Sequence, residues 1–359
     1  MDVAVKPINA LSAAEKARWD ALQASHPGLS SPYFTRGYAE AIASARRDAR
    51  AAVIREGAEI VGFLPFQRSL SGYCRPLGGP MADVHGLIAP PDAGLELKTV
   101  LRKAHIPVFV YFGAPAEQAA FAPSHRKQQR CHVCDLSDGF DAYHARKKAS
   151  HGSALSRLRN KRSKLVRRVG EPVITLDDRR ETVFDTLWAW KSAQYKASGY
   201  VDLTETRWAM AALRAMFETR TPEFAGVLST LEVEGRPIAI HFGIKSGQAI
   251  HYWFPAYDPE YAAFSPGLIL LWAMLEGHQR LGVTAAHLGP VDLRYKLEFA
   301  DTGFDLAKGW AHSGRTAQAG LRAAAKTVER WAEAAPLGPV SRLPGKVIRR
   351  LDQMAAYAG

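Results

Sequence analysis

The chain has 359 residues, enough for two ordinary domains with buried cores. Its formal net charge is +12, and no apolar run in it is long enough to span a bilayer as a helix. This composition excludes an integral helical membrane protein, and residues 1–6 lack the charged-then-apolar start of a secretory leader, so a cytoplasmic location is expected.

The positive charge is clustered. Residues 143–168 include Arg146, Lys147, Lys148, Arg157, Arg159, Lys161, Arg162, Lys164, Arg167 and Arg168, with no acidic residue among them. Leu155, Leu158, Leu165 and Val169 recur there at helical spacing, which predicts an amphipathic helix docked by one stripe. A second basic region holds Arg342, Lys346, Arg349 and Arg350. Such runs read equally as solvated helix faces or as contacts for a polyanion, an anionic lipid or a phosphorylated ligand.

In chain order, residues 12–23 read as a first helix with Trp19 and Leu22 inward, and Ser30-Ser31-Pro32-Tyr33-Phe34 as the cap of a second that runs through Tyr38 and Ile42. Residues 51–55 and 60–66 form a hairpin around Glu56-Gly57. Residues 95–103 are helical, and the apolar run 108–112 is a central strand. Cys131 and Cys134 flank His132 in a C-x-x-C, but only Cys74 remains elsewhere. With no second ligand pair at zinc spacing, no metal is expected, and the thiols read as reduced. No Walker loop, H-E-x-x-H, G-x-S-x-G or G-x-G-x-x-G occurs.

The stretch 224–299 is the most informative. It reads as three strands, 224–233, 238–244 and 249–254, with turns at 234–237 and at Ser246-Gly247. Asp258-Pro259 ends the third strand. Ser265-Pro266-Gly267 then opens an apolar helix from Leu268, closed by Gly282. Residues 284–288 form a short strand, and Asp292 opens a last helix carrying Tyr295 and Lys296. A strand that leads through small residues into a helix aims amides and a positive dipole end at one point, a place for an anionic group.

The two halves repeat. The segment 56–66 aligns without a gap on 234–244, from the shared Glu-Gly through the alternating apolar positions. Repetition at this long period predicts two tandem α/β domains, each a mixed central sheet flanked by helices. The boundaries expected are a first domain over 1–144, a basic linker helix over 145–170, a second domain over 171–312 and a basic helical tail over 313–359.

These pieces resemble the GNAT-like acetyltransferase domain of the CelD/BcsL family, tied to cellulose and other exopolysaccharide production. The resemblance rests on Trp190-Lys191 with Gln194-Tyr195, on 235–239, on His251-Tyr252-Trp253-Phe254-Pro255-Ala256-Tyr257-Asp258, on Ser265-Pro266-Gly267 and on Tyr295-Lys296. Tyr33-Phe34 and 62–66 match in the first half. Tandem domains of this kind also occur in FemAB-like aminoacyl transferases that use charged tRNA.

The resemblance implies a tandem GNAT-like fold and acyl transfer from acetyl-CoA or another acyl-CoA to a hydroxyl or amine of a saccharide or its precursor. It implies Tyr295 as the acid for the departing thiolate, with His241 and Asp292 as candidate bases. The donor would lie along Trp253, Phe254, Ser265, Pro266, Gly267, Leu268 and Lys296, and strand amides would meet the carbonyl oxygen. Lys191, Tyr195, Tyr252 and Asp258 would line the acceptor side. One departure stands out: 261–267 keeps only the last glycine of the usual phosphate loop, and Pro266 removes a donor. The first half has no such loop and is expected to hold no donor of its own. The expected partners are the small acyl donor and a saccharide, with the basic regions free to meet an anionic inner-membrane surface or a polysaccharide synthase rather than nucleic acid. A non-catalytic binding module at such a surface is the remaining alternative.

Overall fold

A computed structural model describes residues 1–69, 73–314, 316–320, 322–324 and 327. Among them the elements run β1 (Asp2–Pro7), α1 (Ala13–Ser25), α2 (Arg36–Ala45), β2 (Ala49–Glu56), β3 (Glu59–Arg68), β4 (Tyr73–Pro76), α3 (Leu97–Lys103) and β5 (Val108–Pro115). Next come β6 (His125–Asp135), α4 (Phe140–Arg168), β7 (Val173–Thr175), α5 (Glu181–Ser198), α6 (Arg207–Glu218), β8 (Ala225–Val233) and β9 (Arg236–Lys245). The chain continues with β10 (Ala249–Tyr257), α7 (Pro266–Glu276), α8 (His278–Leu281), β11 (Ala285–Gly289), α9 (Arg294–Phe299) and β12 (Thr302–His312). Two compact units result. The first holds Met1–His26, Ile42–Gln128 and the chain from Leu306; the second holds Pro27–Ala41 and Gln129–Asp305.

The first unit orders its strands β1-β2-β3-β4-β5-β12. The pairs are antiparallel except β4 with β5. Leu64, Phe66, Val100, Leu101, Phe109, Tyr111 and Phe121 fill its core. Helix α1 starts where the sequence predicts, because Ser12 and Glu15 form a reciprocal capping box, and Trp19 and Leu22 are buried. β4 does not lead into an α-helix. It passes to Gly78 and Gly79, both at positive φ, and the next α-helix begins at Leu97.

The second unit repeats the pattern as β7-β8-β9-β10-β11-β6, with β10 and β11 its parallel pair. The aligned hairpins are the equivalent β2–β3 and β8–β9 pairs. They turn on Gly57 at φ 58° in one and on Glu234 and Gly235 at φ 52° and 74° in the other, the left-handed backbone that makes glycine the fitting residue. Both units are therefore mixed-sheet α/β layers, the class the sequence predicts.

The division of the chain differs from boundaries at 144 and 312. Each sheet takes its sixth strand from the end of the other half of the sequence: Leu306–His312 pair with β5, while residues 132–135 pair with β11. Helix α4 also differs from the expected linker. It starts at Phe140, belongs to the second unit, and buries Tyr143, Lys147, Leu158 and Leu165. Of the predicted stripe, Leu158 and Leu165 are buried, and Leu155 and Val169 partly so. The helix is broken at His151, at φ −137° and ψ 37°. Among the described residues no helix is long and apolar enough to cross a membrane. The second basic region and most of the expected tail helix lie outside the described residues.

Candidate active site

Strands β10 and β11 hold together for three rungs, from Ala249↔Ala285 to His251↔His287, and then part. β10 bulges between His251 and Phe254, and there the Trp253 amide donates to His241 Nε2 at 3.2 Å instead of joining the ladder. Gly243 makes room for this bulge. A Cβ at Gly243 would lie 2.3 Å from the His251 carbonyl oxygen and 2.7 Å from the His241 ring. Gly243→Ala is therefore expected to cost about 2–3 kcal/mol, the range for overpacking against backbone, read as a lowered midpoint of urea unfolding. An unchanged midpoint would mean that the bulge is not held at this point.

The parting strands open a wedge at the carboxyl ends of a parallel pair, where α/β sheets place their ligands. Helix α7 follows β10 and helix α9 follows β11, so the two helix starts flank the mouth. At α7, Ser265 is in the left-handed region at φ 54° and its hydroxyl makes no cap bond. Its carbonyl accepts from the Leu268 amide at 3.0 Å and the Ile269 amide at 3.3 Å instead. Pro266 has no N–H, so this helix start offers an anion few free amides. It is nonetheless approachable: a Cβ on Gly267 would meet only Tyr257, at 3.8 Å.

Tyr252 reaches the same point. Its hydroxyl donates to the Gly267 carbonyl at 3.4 Å, and its ring stacks on His241 with centroids 4.2 Å apart. Burial, and then the neighbouring Tyr295, push the Tyr252 phenol well above its ordinary range. Tyr252 therefore joins the Ser265–Leu268 turn, and Tyr295 packs against the core cluster that holds Tyr252. Lys161 of α4 reaches the loop just before it, donating to the Ala263 carbonyl at 2.5 Å.

The remaining predicted residues have other settings. His241 is fully buried, its Nε2 lone pair is taken by the Trp253 amide, and burial followed by the neighbouring His251 lowers its pKa to about 3. It props the bulge and is poorly placed to receive a proton, and the Trp253 amide it holds is lost to a substrate carbonyl. Phe254 is buried, edge-on to Trp188, and the Trp253 ring meets Tyr33 edge-on at 5.5 Å. Asp258 closes a turn, accepting from the Glu260 amide at 3.1 Å and pairing with Arg236 at 2.8 Å. Lys191 on α5 is buried, donates to Gln194 at 2.7 Å and lies 4.9 Å from the Tyr195 ring centre. Burial lowers its pKa to about 8. Lys296 is buried in α9.

Asp292 is not a cap. Leu293 precedes the first turn of α9, and the exposed Asp292 carboxylate pairs instead with His132 Nε2 at 2.7 Å. That buried imidazole sits between the two cysteines, and sequence reasoning missed its role. No local signal marks a pair 160 residues apart. Lys147, one of the cations of the basic run, is buried and donates to the Ala300 carbonyl at 2.8 Å. Cys74, Cys131 and Cys134 are buried free thiols, and burial pushes Cys134 up to about 12. Among the described residues no group of His, Cys, Asp and Glu is arranged to hold a metal ion.

Residues 152–297 match the family model described as the acetyltransferase (GNAT) domain. The matched segment spans the wedge, α7 and Tyr295, which makes the chain an acyltransferase by the class of this domain. The fold is shared with solved structures at low identity. FemX is 12% identical, with 90% of this chain and 99% of that chain covered and a TM-score of 0.57. A conserved protein of unknown function from Bacteroides thetaiotaomicron is 12% identical over 85% of this chain and 100% of that chain, at 0.53. The C-terminal domain of a protein named as a lysylphosphatidylglycerol synthetase from Agrobacterium fabrum is 11% identical over 87% and 97%, at 0.50. A comparison with curated protein sequences gives no match.

Proposed function

We propose that the protein moves an acyl group, acetyl in the first instance, from coenzyme A to a hydroxyl or amine of a saccharide or saccharide precursor, in the production of cellulose or another exopolysaccharide. The observation that carries this reading is the hydrogen bond from Tyr252 to Gly267 at the start of α7, beside the β10–β11 wedge, with Tyr295 packed against the same core cluster. Coenzyme A would supply a thioester whose carbonyl carbon accepts the nucleophile. Ser265–Leu268 and Lys161 would hold its diphosphate arm, the lysine supplying the charge that the sparse amides do not. Tyr252, hydrogen-bonded to Gly267, would fix the floor of the site.

Asp292, oriented by His132, would take the acceptor's proton as the new bond to carbon forms. Tyr295 would give its phenolic proton to the sulfur as the carbon–sulfur bond breaks. Lys191 and Tyr195 would contact the acceptor through an amine kept partly neutral by burial. The saccharide acceptor rests on the sequence resemblance, as does an association of the basic helix α4 with a membrane surface or a polysaccharide synthase.

A second reading is favoured by one feature, the exposed cations Arg159, Arg162, Arg167 and Arg168 on α4. They suit a charged tRNA as the source of an aminoacyl group. Calorimetry decides between the two. Saturable binding of acetyl-CoA or a longer acyl-CoA, little altered by salt, is expected on the first reading. Failure of every acyl-CoA to bind, with tRNA binding that falls steeply as salt rises, would replace it with the second.

A further inference from the structure

The second unit contains a cavity of about 240 Å³ away from the wedge. Lys245, the last residue of β9, and Leu281, the last of α8, line it together with Ala225, the first residue of β8. The wedge is flanked by the start of α7, whereas this cavity lies past its other end. The 11 residues of α7, a helix roughly 16 Å long, separate its start at the wedge from the turn that carries Arg280 and Leu281.

Four cationic side chains, Arg179, Arg220, Lys245 and Arg280, face the cavity with one carboxylate, Asp177. Arg179 Nη2 takes Asp177 Oδ2 at 2.6 Å, and Arg220 Nη2 stands 3.8 Å from Oδ1, so the lone carboxylate is shared by two arginines. Arg220 Nη1 donates to the Phe217 and Thr219 carbonyls, which fixes the guanidinium. Its buried Nε and Nη2 have no hydrogen-bond partner among the described residues. Lys245 spends one N–H on the Leu281 carbonyl at 2.7 Å. Arg280 is exposed and its guanidinium makes no hydrogen bond or ion pair among the described residues.

Buried guanidinium hydrogens without acceptors are costly, and a fixed guanidinium facing an excess of positive charge is a receptor for a multivalent oxyanion. The volume falls below that of sites enclosing whole drug-sized ligands, so it suits a head group and not an entire nucleotide. We infer that this cavity is a binding site for a phosphate or diphosphate group, separate from the acyl-transfer wedge, with Arg220 and Arg280 as its principal donors and Lys245 beside them.

The test is calorimetric titration of the full chain with inorganic pyrophosphate at low salt, and co-sedimentation with phosphatidylcholine vesicles carrying a minority of phosphatidic acid. Wild type should bind pyrophosphate saturably, and Arg280→Glu, at an exposed side chain, should weaken that binding at least about tenfold with an unchanged thermal midpoint. Lys161→Glu, which alters the loop before α7, should leave the Arg280-dependent part of that binding in place. Pyrophosphate binding without vesicle binding assigns the site to a soluble phosphorylated ligand. Vesicle binding that Arg280→Glu abolishes assigns it to a lipid head group. The inference is overturned if wild type binds neither, if Arg280→Glu binds as wild type does, or if the affinity falls in Lys161→Glu instead.

Discussion

Tyr295→Phe is expected to lower kcat for acyl transfer by about 100- to 1,000-fold with little change in KM for the acyl donor, the range for loss of a positioned general acid. The substitution removes one oxygen and keeps the ring. Tyr295 is partly buried against the core of the second unit, and its ring contacts there do not need the hydroxyl. Folding should therefore survive, with a thermal midpoint near that of wild type. The pH profile separates a proton donor from a wall of the pocket. A donor's loss abolishes the fall in rate at high pH, whereas a wall's loss scales the whole profile down. Tyr252→Phe serves as the companion variant, since it deletes only a long bond to the Gly267 carbonyl at 3.4 Å and leaves the stack on His241. A loss under about tenfold in Tyr295→Phe would remove the tyrosine from the chemistry.

The second large effect is acid lability. His85 in the first unit, and His241 and His287 in the second, are buried with pKa values lowered to about 3, chiefly by burial and for the latter two also by His251. Their environments explain why the neutral form is held. His85 Nε2 accepts from the Phe112 and Gly113 amides at 3.0 Å each, and His241 Nε2 accepts from Trp253. The folded values lie below the unfolded one. The unfolded chain therefore takes up protons below about pH 6.5 that the folded chain refuses until about pH 3. Stability is complete above the upper limit and is lost as pH falls through this window. Each histidine contributes about 1.4 kcal/mol per pH unit, so the three together approach about 4 kcal/mol per unit below pH 5.5. Urea midpoints at pH 7, 6, 5 and 4 measure it. A midpoint that stays level down to pH 5 would show that these imidazoles find acceptors once protonated.

Local order was legible wherever the signal was local. The Glu56-Gly57 and Glu234-Gly235 turns, the strands on either side of them and the start of α7 all depend on neighbours a few residues away, and they stand where the periodicity puts them. The order of the elements around the wedge was legible for the same reason, since Ser265 opens α7 and Tyr295 stands in the first turn of α9, where the local signals put them. Long-range pairing was not. His132 and Asp292 come from strands and loops far apart in sequence, and nothing in a C-x-x-C spacing points to a distant carboxylate. Ser265 looks like a side-chain cap by residue type, yet its left-handed backbone turns the hydroxyl away from that duty. A histidine on a strand face can be a base or a prop, and only the bulge at Trp253 distinguishes them. Helix α4 reads as a linker by its charge, because ten cations mask the few side chains that anchor it.

The crossed sixth strands have a consequence for how the gene can be divided. A polypeptide ending at 144 would carry Val108–Pro115 with a bare outer edge, and the complementary polypeptide would carry Ala285–Gly289 in the same condition. Each would also keep a strand whose native neighbour is on the other fragment. Bare edges recruit whatever strand is at hand, so separate expression should give reciprocal dimers or precipitate, and co-expression should restore solubility by letting the fragments trade ends.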